Sequence, residues 1–461
     1  MTKNAVQKIA VIGSGISGLS CAWLLAQHSN AAYDVTLFEA DSRIGGHTNT
    51  VDVELEGLRC GVDTGFLVFN DWTYPNLIAL FAHLNIETAA SEMSFSVSLR
   101  HESKVKLEWS GCNLATVFSQ PSNLVSPKFI GMLRDLVRFN KQASALVDSK
   151  AILTGTLGAF LDTHGYGQAF RDWYLRPMAA CIWSTPSKQI NDFPLQSFLT
   201  FCRNHGLLSI SNRPQWRTVR GGARNYAAKL AAQIPNVRCN ANIKKIRSAT
   251  TSTPATVVHS DGEQQFDHII MACHSDQALA LLETPNAPQR QILGAIKYHP
   301  NIAVLHTDTR LLPERKRAWA AWNYLAPYLP TSDAAAGDVS LSYLINRLQP
   351  LPFKQAVVVT LNPPFEPAAD KVIAKINYAH PVYLPESVAA QRDLPQIQGA
   401  GNLWFAGAWT RYGFHEDGLR AGIAVAQALG ARTPWATDVA AANAHNIPQG
   451  DYLRVAGINE H

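Results

Sequence analysis

Three closely spaced glycines near the start of the chain have the spacing of a loop that can hold a pyrophosphate group. Gly13 would permit a tight turn, Gly15 would let the backbone approach the anion, and Gly18 would let a helix pack closely on a strand. Amides at the helix start would point at the anion, where the helix dipole favours negative charge. Glu39 follows about 20 residues later, where a carboxylate can accept hydrogen bonds from an adenosine ribose. The pattern predicts a dinucleotide site, and it disfavours NADP because the carboxylate would repel the 2′-phosphate.

The elements that must position this loop fit a βαβ unit. Residues 8–12 predict a short buried strand, and residues 19–26 predict an apolar helix. Residues 34–38 predict a second strand, which ends on Glu39. The order of strand, glycine turn, helix, strand and acid closes within about 30 residues, the length that such a unit needs.

The residues after Glu39 favour FAD over NAD. Arg43 can neutralise a second phosphate, and Gly45 and Gly46 let the backbone lie under a long ligand. The segments that match a known family are Val11–Leu19, Phe38–Ala40, Arg43–His47, Val219–Gly222 and Leu403–Gly407. Together they resemble the flavin amine oxidase superfamily, which also includes phytoene desaturases and protoporphyrinogen oxidase.

This resemblance implies FAD as the cofactor, with contacts from several segments. Arg43, Gly45 and Gly46 would line the pyrophosphate and the ribityl chain, and Ile243 would touch the adenine through its backbone. A helix beginning in residues 416–419 would point at the pyrimidine edge of the flavin, where its amides stabilise negative charge on the reduced ring. The implied FAD contacts are Gly13, Gly15, Ser17, Gly18, Glu39, Ala40, Arg43, Gly45, Gly46, His47, Thr48, Ile243, Gly407, Asp417, Gly418 and Leu419.

One position departs from the family pattern. The superfamily usually carries an acid directly after the glycine of its C-terminal FAD motif, whereas this chain has Ala408, followed by Trp409. The resemblance therefore implies that the ribityl chain is anchored differently here.

Further segments carry a closer resemblance, which covers the chain up to about residue 430. They are Val62–Asn70, Leu305–Asp308, Ala320–Tyr324, Asn346–Gln349, His380-Pro381 and Gly407–Leu419. They resemble a bacterial subgroup of predicted NAD/FAD-binding proteins whose relatives are associated with cyclopropane fatty-acid synthase-like methyltransferases. The resemblance implies an acyl-lipid substrate and a methyltransferase of that kind as a candidate partner.

His415 and Glu416 are the titratable pair closest in sequence to the expected flavin edge. A flavin oxidation needs the substrate bond held against the flavin N5 atom, with water excluded and a group nearby to take a proton. We hypothesise that these two residues are catalytic, with His415 facing the substrate and orienting it or accepting a proton. The alternative, in which both side chains bond the loop backbone, stays open.

Three functions stay open at this point. The first is FAD-dependent dehydrogenation, desaturation or oxidation of a hydrophobic substrate such as a phospholipid fatty-acyl chain. The second is a flavin amine oxidase that releases hydrogen peroxide. Such enzymes usually place a lysine near flavin N5, but Lys297 is interpreted as a loop residue, with Asn301 or Ile302 closer to that position. The third is a flavin-binding accessory partner of a lipid methyltransferase.

Composition limits the remaining possibilities. The chain has 461 residues, of which 47% are hydrophobic and 16% are charged, as in a globular protein of two or three domains. Its net charge of +5 is too small to argue for nucleic-acid binding. Seven scattered cysteines without a CxxC pair predict no disulfide framework. No histidine stands at ligand spacing with carboxylates, so no metal site is predicted. A cytoplasmic location is expected, because the N-terminus lacks a signal-peptide pattern and no apolar stretch of about 20 residues occurs.

The predicted fold class is α/β. We expect a Rossmann-like, GR2-type FAD-binding domain interleaved with an α+β substrate domain. The FAD-binding domain would comprise 1–90, 215–290 and 385–435, the substrate domain 91–214 and 291–384, and a C-terminal tail 436–461.

A basic amphipathic segment lies within the expected substrate domain. Over residues 128–141 its apolar residues fall on one helical face, flanked by cations: Phe129, Met132, Leu133, Leu136 and Val137, with Lys128, Arg134, Arg138 and Lys141. Such a segment can lie on the inner membrane surface as a peripheral contact. The alternative, a helix face packed inside the substrate domain, is favoured.

Overall fold

The computed structural model describes residues 6–30, 32–101, 104–183, 189–209, 213–260, 262–327 and 340–435. In this part of the chain the strands are β1 Gln7–Ile12, β2 Tyr33–Phe38, β3 Thr50–Leu55, β4 Leu58–Asp63, β5 Phe69–Asn70, β6 Thr88–Ala90, β7 Phe95–His101, β8 Lys104–Ser110, β9 Trp216–Val219, β10 Asn236–Arg238, β11 Ile243–Arg247, β12 Ala255–His259, β13 Gly262–Phe266, β14 His268–Met271, β15 Lys297–His306, β16 Trp322–Pro327, β17 Ser340–Leu344, β18 Val358–Leu361, β19 Val372–Val382 and β20 Leu403–Phe405.

The α-helices of the same residues are α1 Ile16–Gln27, α2 Pro75–His83, α3 Leu114–Val117, α4 Pro127–Asp148, α5 Leu157–Thr163, α6 Gln168–Phe170, α7 Arg176–Trp183, α8 Leu195–Asn204, α9 Arg224–Ala231, α10 Ser275–Leu281, α11 Ala287–Ala295, α12 Ile345–Leu348, α13 Pro385–Asp393 and α14 His415–Ala428. None of the helices in the described residues is long and apolar enough to cross a membrane.

A parallel sheet lies under the glycine loop. Among the described residues it has five strands in the order β10-β2-β1-β14-β20, and every neighbouring pair is parallel. Ile9, Val11 and Leu37 in its central strands are fully buried, as expected for a parallel sheet covered on both faces. The predicted βαβ unit is confirmed, and it puts the loop at the carboxyl end of β1, where doubly wound folds bind their ligands.

A second sheet is mainly antiparallel. Its seven strands in the described chain have the order β19-β15-β18-β17-β16-β7-β8, and only β16 and β7 pair in parallel. One hydrophobic core joins this sheet to the helices that follow β8, with Phe129, Phe198 and Tyr324 among its members. The predicted α/β class, with a Rossmann-like sheet and an interleaved α+β region, is confirmed.

The domain ranges stay a prediction. The five parallel strands all fall within 1–90, 215–290 and 385–435, and the seven strands of the second sheet fall within 91–214 and 291–384. The tail 436–461 lies outside the described residues.

The amphipathic segment 128–141 lies within α4, and the expected burial of one of its apolar residues was wrong. Phe129 and Met132 are buried as expected, but Val137 is 56% exposed. Val137 stands seven positions after Ile130, which is also exposed, so these two side chains share an outward face.

Candidate active site

The glycine loop has the geometry that its spacing predicted. Gly13 has φ +103°, and a Cβ there would lie 2.8 Å from the carbonyl oxygen of Ala272. A Cβ on Gly18 would overlap the carbonyl oxygen of Gly13. Gly15 differs from both, because a Cβ built on it would have no atom within 4 Å. The first and third glycines are needed for the turn and for packing, and the second borders open space.

The loop that contains Arg43 meets the glycine loop directly. The amide of Gly45 donates to the carbonyl oxygen of Ser14 at 3.1 Å, and a Cβ on Gly46 would lie 3.2 Å from the Cα of Gly15. The structure therefore brings together two segments that are about 30 residues apart, as a shared dinucleotide site requires.

Glu39 lies at the same place but is already bonded. One carboxylate oxygen accepts bonds from the amide of Ser14 at 2.9 Å and from its hydroxyl at 2.5 Å. The other oxygen accepts from the amide of Asp41 at 2.9 Å. The oxygen bonded to Asp41 has a further lone pair, so Glu39 can hold the loop in place and also accept from a ribose. Ala40 follows it and is exposed. The amide of Ala241 donates to the carbonyl oxygen of Glu39 at 2.8 Å, which places Ile243, two residues on, beside this end of the site.

Buried polar atoms without partners test whether FAD fits. Among the described residues, Nη1 of Arg43 and Nε2 of His47 are buried and have no hydrogen-bond partner. Such atoms are costly unless a ligand or water satisfies them. A guanidinium nitrogen without a partner, on the loop whose Gly46 contacts Gly15, suits a diphosphate, so the residues present fit FAD.

Three histidines from separate segments surround this region. The ring of His47 lies 5.3 Å from that of His380, 6.0 Å from that of His274 and 4.9 Å from that of Tyr378. Burial and the neighbouring His380 hold the pKa of His47 well below its usual range. Burial also lowers the pKa of His380 to about 4, and its Nδ1 lies 3.1 Å from Nδ2 of Asn301. At neutral pH these rings are uncharged. Only His47 was expected at the site, because spacing along the chain carries no signal for this cluster.

His415 is held by side chains, not by the loop backbone. Its Nε2 lies 2.5 Å from the hydroxyl oxygen of Tyr226 and 3.4 Å from that of Thr48, and those two oxygens are 2.5 Å apart. Its ring stacks on Phe66 at 3.8 Å between centroids. Burial lowers the pKa of His415 to about 3. A neutral imidazole with this pKa is a weak base, so the geometry favours an orienting role.

The carboxylate of Glu416 is bonded to Asn76, Leu77 and Arg420, and its catalytic role stays a prediction. Its carboxylate accepts from the amide and side chain of Asn76 at 3.1 and 2.7 Å, and from the amide of Leu77 at 3.0 Å. It also pairs with Nε of Arg420 at 2.8 Å. Three bonds from the start of α2 and one from Arg420 of α14 hold this carboxylate, and a buried carboxylate at a helix N-terminus is stabilised by the amides there.

The first turn of α14 lies against the first turn of α1. A Cβ on Gly418 would lie 2.8 Å from Cγ2 of Ile16 and 3.0 Å from Oγ of Ser17. Asp417 accepts a bond from the amide of Phe414 at 3.0 Å, and burial raises its pKa. Leu419 is fully buried. The N-termini of both helices thus meet at one place, as the expected FAD contacts require.

The turn before α14 is fixed at the position that departs from the family pattern. The indole nitrogen of Trp409 donates to the carbonyl oxygen of Cys273 at 3.1 Å. The side chain of Gln391 donates to the carbonyl oxygens of Trp409 and Arg411 at 2.8 and 2.7 Å. A Cβ on Gly407 would overlap the Trp409 ring. A buried tryptophan therefore holds the turn that begins at Gly407 and continues through Ala408.

Lys297, which was considered as the lysine of an amine oxidase, bonds the backbone of the preceding helix. Lys297 is the first residue of β15 and not a loop residue, which corrects that interpretation. It is exposed, and its Nζ donates to the carbonyl oxygen of Gly294 at 2.8 Å. Asn301 is buried, whereas Ile302 is 50% exposed. Of these three side chains, only Asn301 reaches the histidine cluster.

Asp63 joins three segments and was not expected at the site. Its carboxylate accepts from the hydroxyl of Thr50 at 2.5 Å, from the amide of Ala223 at 2.9 Å and from the side chain of Gln349 at 2.9 Å. Burial raises its pKa to about 7. The resemblance singled out all three segments, 62–70, 219–222 and 346–349, but it did not predict that they meet.

A family comparison agrees with this geometry. The model of the family described as flavin containing amine oxidoreductase matches residues 16–346. Among curated proteins, an L-amino-acid oxidase of Notechis scutatus scutatus is 47% identical over 49 residues, which is 11% of this chain and 9% of that protein. The matched segment thus spans about a tenth of that relative's length.

Solved structures share the fold at low identity. A CLA-producing fatty acid isomerase from P. acnes has a TM-score of 0.63 and 13% identity, covering 92% of this chain and 98% of that one. A putrescine oxidase bound to putrescine has a TM-score of 0.64 and 13% identity, covering 92% and 99%. The family match carries the classification: this chain belongs to the flavin-containing amine oxidoreductases and is an FAD-dependent oxidoreductase.

Proposed function

We propose that this enzyme oxidises or dehydrogenates a hydrophobic substrate, and that the substrate class is a phospholipid fatty-acyl chain. FAD, when bound, accepts two electrons as hydride from the substrate. The protein supplies the loop that holds the cofactor, an apolar surface that excludes water and a neutral histidine, His415, that orients the reacting group.

The observation that carries this proposal is a continuous aromatic wall beside His415. Phe414, the preceding residue, stacks on Phe201 of α8 with centroids 5.0 Å apart. Phe201 lies 4.6 Å from Trp183, and Trp183 lies 4.9 Å from Phe193. Phe201, Trp183 and Phe193 are almost fully buried, so this side of His415 is an apolar, water-excluding core that suits a hydrophobic substrate better than a charged one.

The charges nearby favour an apolar substrate over an amine. A protonated amine held in this turn would be stabilised by a free carboxylate, but Glu416 and Asp417 are bonded to backbone amides. Lys297 donates to a carbonyl oxygen of the preceding helix. An amine oxidase that releases hydrogen peroxide stays the second candidate, because the family and the matched L-amino-acid oxidase segment favour it.

We also propose that the chain belongs to the methyltransferase-associated bacterial subgroup and works in the cytoplasm with a cyclopropane synthase-like methyltransferase. The segment Gly407–Leu419 supports this proposal, and the shared fold with a fatty acid isomerase is compatible with an acyl substrate. Co-purification tests the partner. A stable complex in which no lipid reduces the flavin would instead support the accessory role.

Anaerobic flavin reduction tests the substrate class. We expect detergent-dispersed phospholipids with unsaturated chains to bleach the flavin absorption band of the FAD-loaded enzyme, whereas a panel of primary amines and amino acids leaves it oxidised. Aerobic hydrogen peroxide production is measured with the same panel. Turnover of any amine without reduction by any lipid would overturn the lipid proposal and favour the amine oxidase.

A further inference from the structure

Large apolar side chains protrude together from one surface of the substrate region. Leu124 and Val125 are 57% and 84% exposed in the short turn before α4, and Leu114 on α3 is 79% exposed. Phe118, at the end of α3, packs on Phe129 of α4 with ring centroids 6.0 Å apart. The two helices are thus neighbours. Leu124 and Val125 of the turn line one shallow surface depression together with Ile130 and Arg134 of α4.

The outward face of α4 continues this surface and adds positive charge. Ile130, Arg134, Val137 and Lys141 recur at the spacing of one helical face, and all four are exposed. Lys128 is exposed beside them. We define the α4 surface as Leu124, Val125, Lys128, Ile130, Arg134, Val137 and Lys141.

The cations of the α4 surface are not neutralised within the described residues. The acids of α4 are bonded elsewhere, because Asp135 pairs with Arg138 at 3.1 Å and Asp148 pairs with Arg203 at 3.2 Å. No salt bridge in the described part of the chain involves Lys128, Arg134 or Lys141. The surface therefore combines protruding apolar groups with free positive charge.

The buried side of α4 makes this surface a rigid platform. Phe129 and Met132 are 1% exposed and anchor the helix in the core. Ser126 caps its N-terminus by accepting a bond from the amide of Phe129 at 3.3 Å. Ile130, Arg134, Val137 and Lys141 are therefore presented by a fixed helix, and Leu124 and Val125 lie in the turn that leads directly into it.

We propose that the α4 surface docks on an anionic lipid bilayer, with Leu124 and Val125 in the acyl boundary and the cations at the headgroups. Isolated exposed apolar residues are ordinary, but a cluster rimmed by one sign of charge marks an interaction site. Anionic headgroups complement the cations, while acyl chains accept the apolar tips. Delivery of an acyl substrate from that bilayer rests on the proposed function, whereas docking itself does not.

Vesicle flotation with the full-length, FAD-loaded protein tests the proposal. We expect binding to phosphatidylcholine vesicles that contain phosphatidylglycerol, weaker binding at high salt, and little binding to phosphatidylcholine alone. Lys128→Gln with Arg134→Gln should weaken binding at low salt by about tenfold or more, because each cation near the surface contributes to the attraction. Leu124→Ser with Val125→Ser should weaken binding at every salt concentration.

Matched variants elsewhere on the surface serve as controls. Lys354→Gln with Lys371→Gln removes two exposed charges, and Leu58→Ser with Phe365→Ser removes two exposed apolar side chains. These variants should bind as the unmodified protein does. Equal binding by all variants, or no binding to anionic vesicles, would overturn the proposal. A dimer that disappears only in the α4 variants would assign the surface to a second copy of the chain.

The flavin-reduction assay separates this proposal from the proposed function. Dispersed lipid that reduces the flavin of a protein unable to bind vesicles leaves the function standing and removes the docking surface. Vesicle binding without flavin reduction by any lipid leaves the docking surface standing and removes the proposed function.

Discussion

His415 sits where the helix α14, the Thr48 hydroxyl and the Tyr226 hydroxyl converge, and its low pKa decides between its two hypothesised roles. A base with a pKa of about 3 holds almost no proton at neutral pH and accepts one weakly. The bonded geometry instead fixes the ring, so we propose that His415 is a positioning residue for whatever binds beside it.

His415→Ala should slow anaerobic flavin reduction by substrate by about tenfold, because it removes one hydrogen-bonded orienting group. His415→Gln, which can still bond Tyr226, should recover most of the rate, and Tyr226→Phe should slow reduction in the same way as His415→Ala. The rate is followed against pH in each variant. If His415→Gln is as slow as His415→Ala and a kinetic pKa disappears, His415 is the proton acceptor after all.

The helices and strands of the N-terminal unit show which contacts can be predicted from sequence. β1, α1, β2 and the loop that contains Arg43 are close in the chain, so their order and spacing predicted their contacts. Fixed spacing encodes local geometry.

Contacts between distant segments could not be predicted in the same way. Tyr226 lies 189 residues from His415, and Asn76 lies 340 residues from Glu416. Adjacent residues on a helix point in different directions, so His415 and Glu416, paired in sequence, reach different partners. The Asp63 bonds and the histidine cluster depend on such long-range packing, and a single sequence carries no signal for them.

The contact between α1 and α14 can be tested at Gly422. A Cβ there would overlap the carbonyl oxygen of Ser17 and the hydroxyl of Ser20, so Gly422→Ala should lower the free energy of unfolding by about 1–3 kcal/mol. FAD retention should fall with it, because both helices begin at the cofactor site. Urea unfolding of the apoprotein and dialysis of the holoprotein measure the two effects.

Gly131→Ala is the matched control for that substitution. A Cβ built on Gly131, in the second turn of α4, would have no atom within 4 Å. Alanine at this position should therefore stabilise the helix by up to about 1 kcal/mol. Equal shifts for the two glycines would contradict the packing argument.

For the whole molecule, the buried neutral histidines couple folding to pH. Burial lowers the pKa of His205, His306 and His380 to about 4 and of His415 to about 3, and that of His47 falls well below its usual range. The same groups have a pKa near 6.5 in an unfolded chain. Between about pH 6.5 and about pH 4 the unfolded chain therefore binds more protons, so the stability these groups contribute is lost as the pH falls.

Asp63 acts in the opposite direction, since burial raises its pKa to about 7. Below that value its folded carboxyl keeps a proton that the unfolded chain releases, so its contribution to stability falls as the pH rises from about 4 to about 7. Burial raises the pKa of Asp417 as well. Five histidines outnumber these two acids, so the free energy of unfolding should decrease on acidification from about pH 7 to about pH 5.

Urea unfolding across this range measures the slope, to which each histidine adds at most about 1.4 kcal/mol per pH unit. His306 offers the cleanest variant, because it lies in β15 away from the cofactor loop and its ring bonds Thr360 at 2.8 Å. His306→Asn should reduce the slope by up to that amount, whatever it does to stability at neutral pH. Stability that is flat or rises on acidification would show that the acids, not the histidines, dominate the coupling.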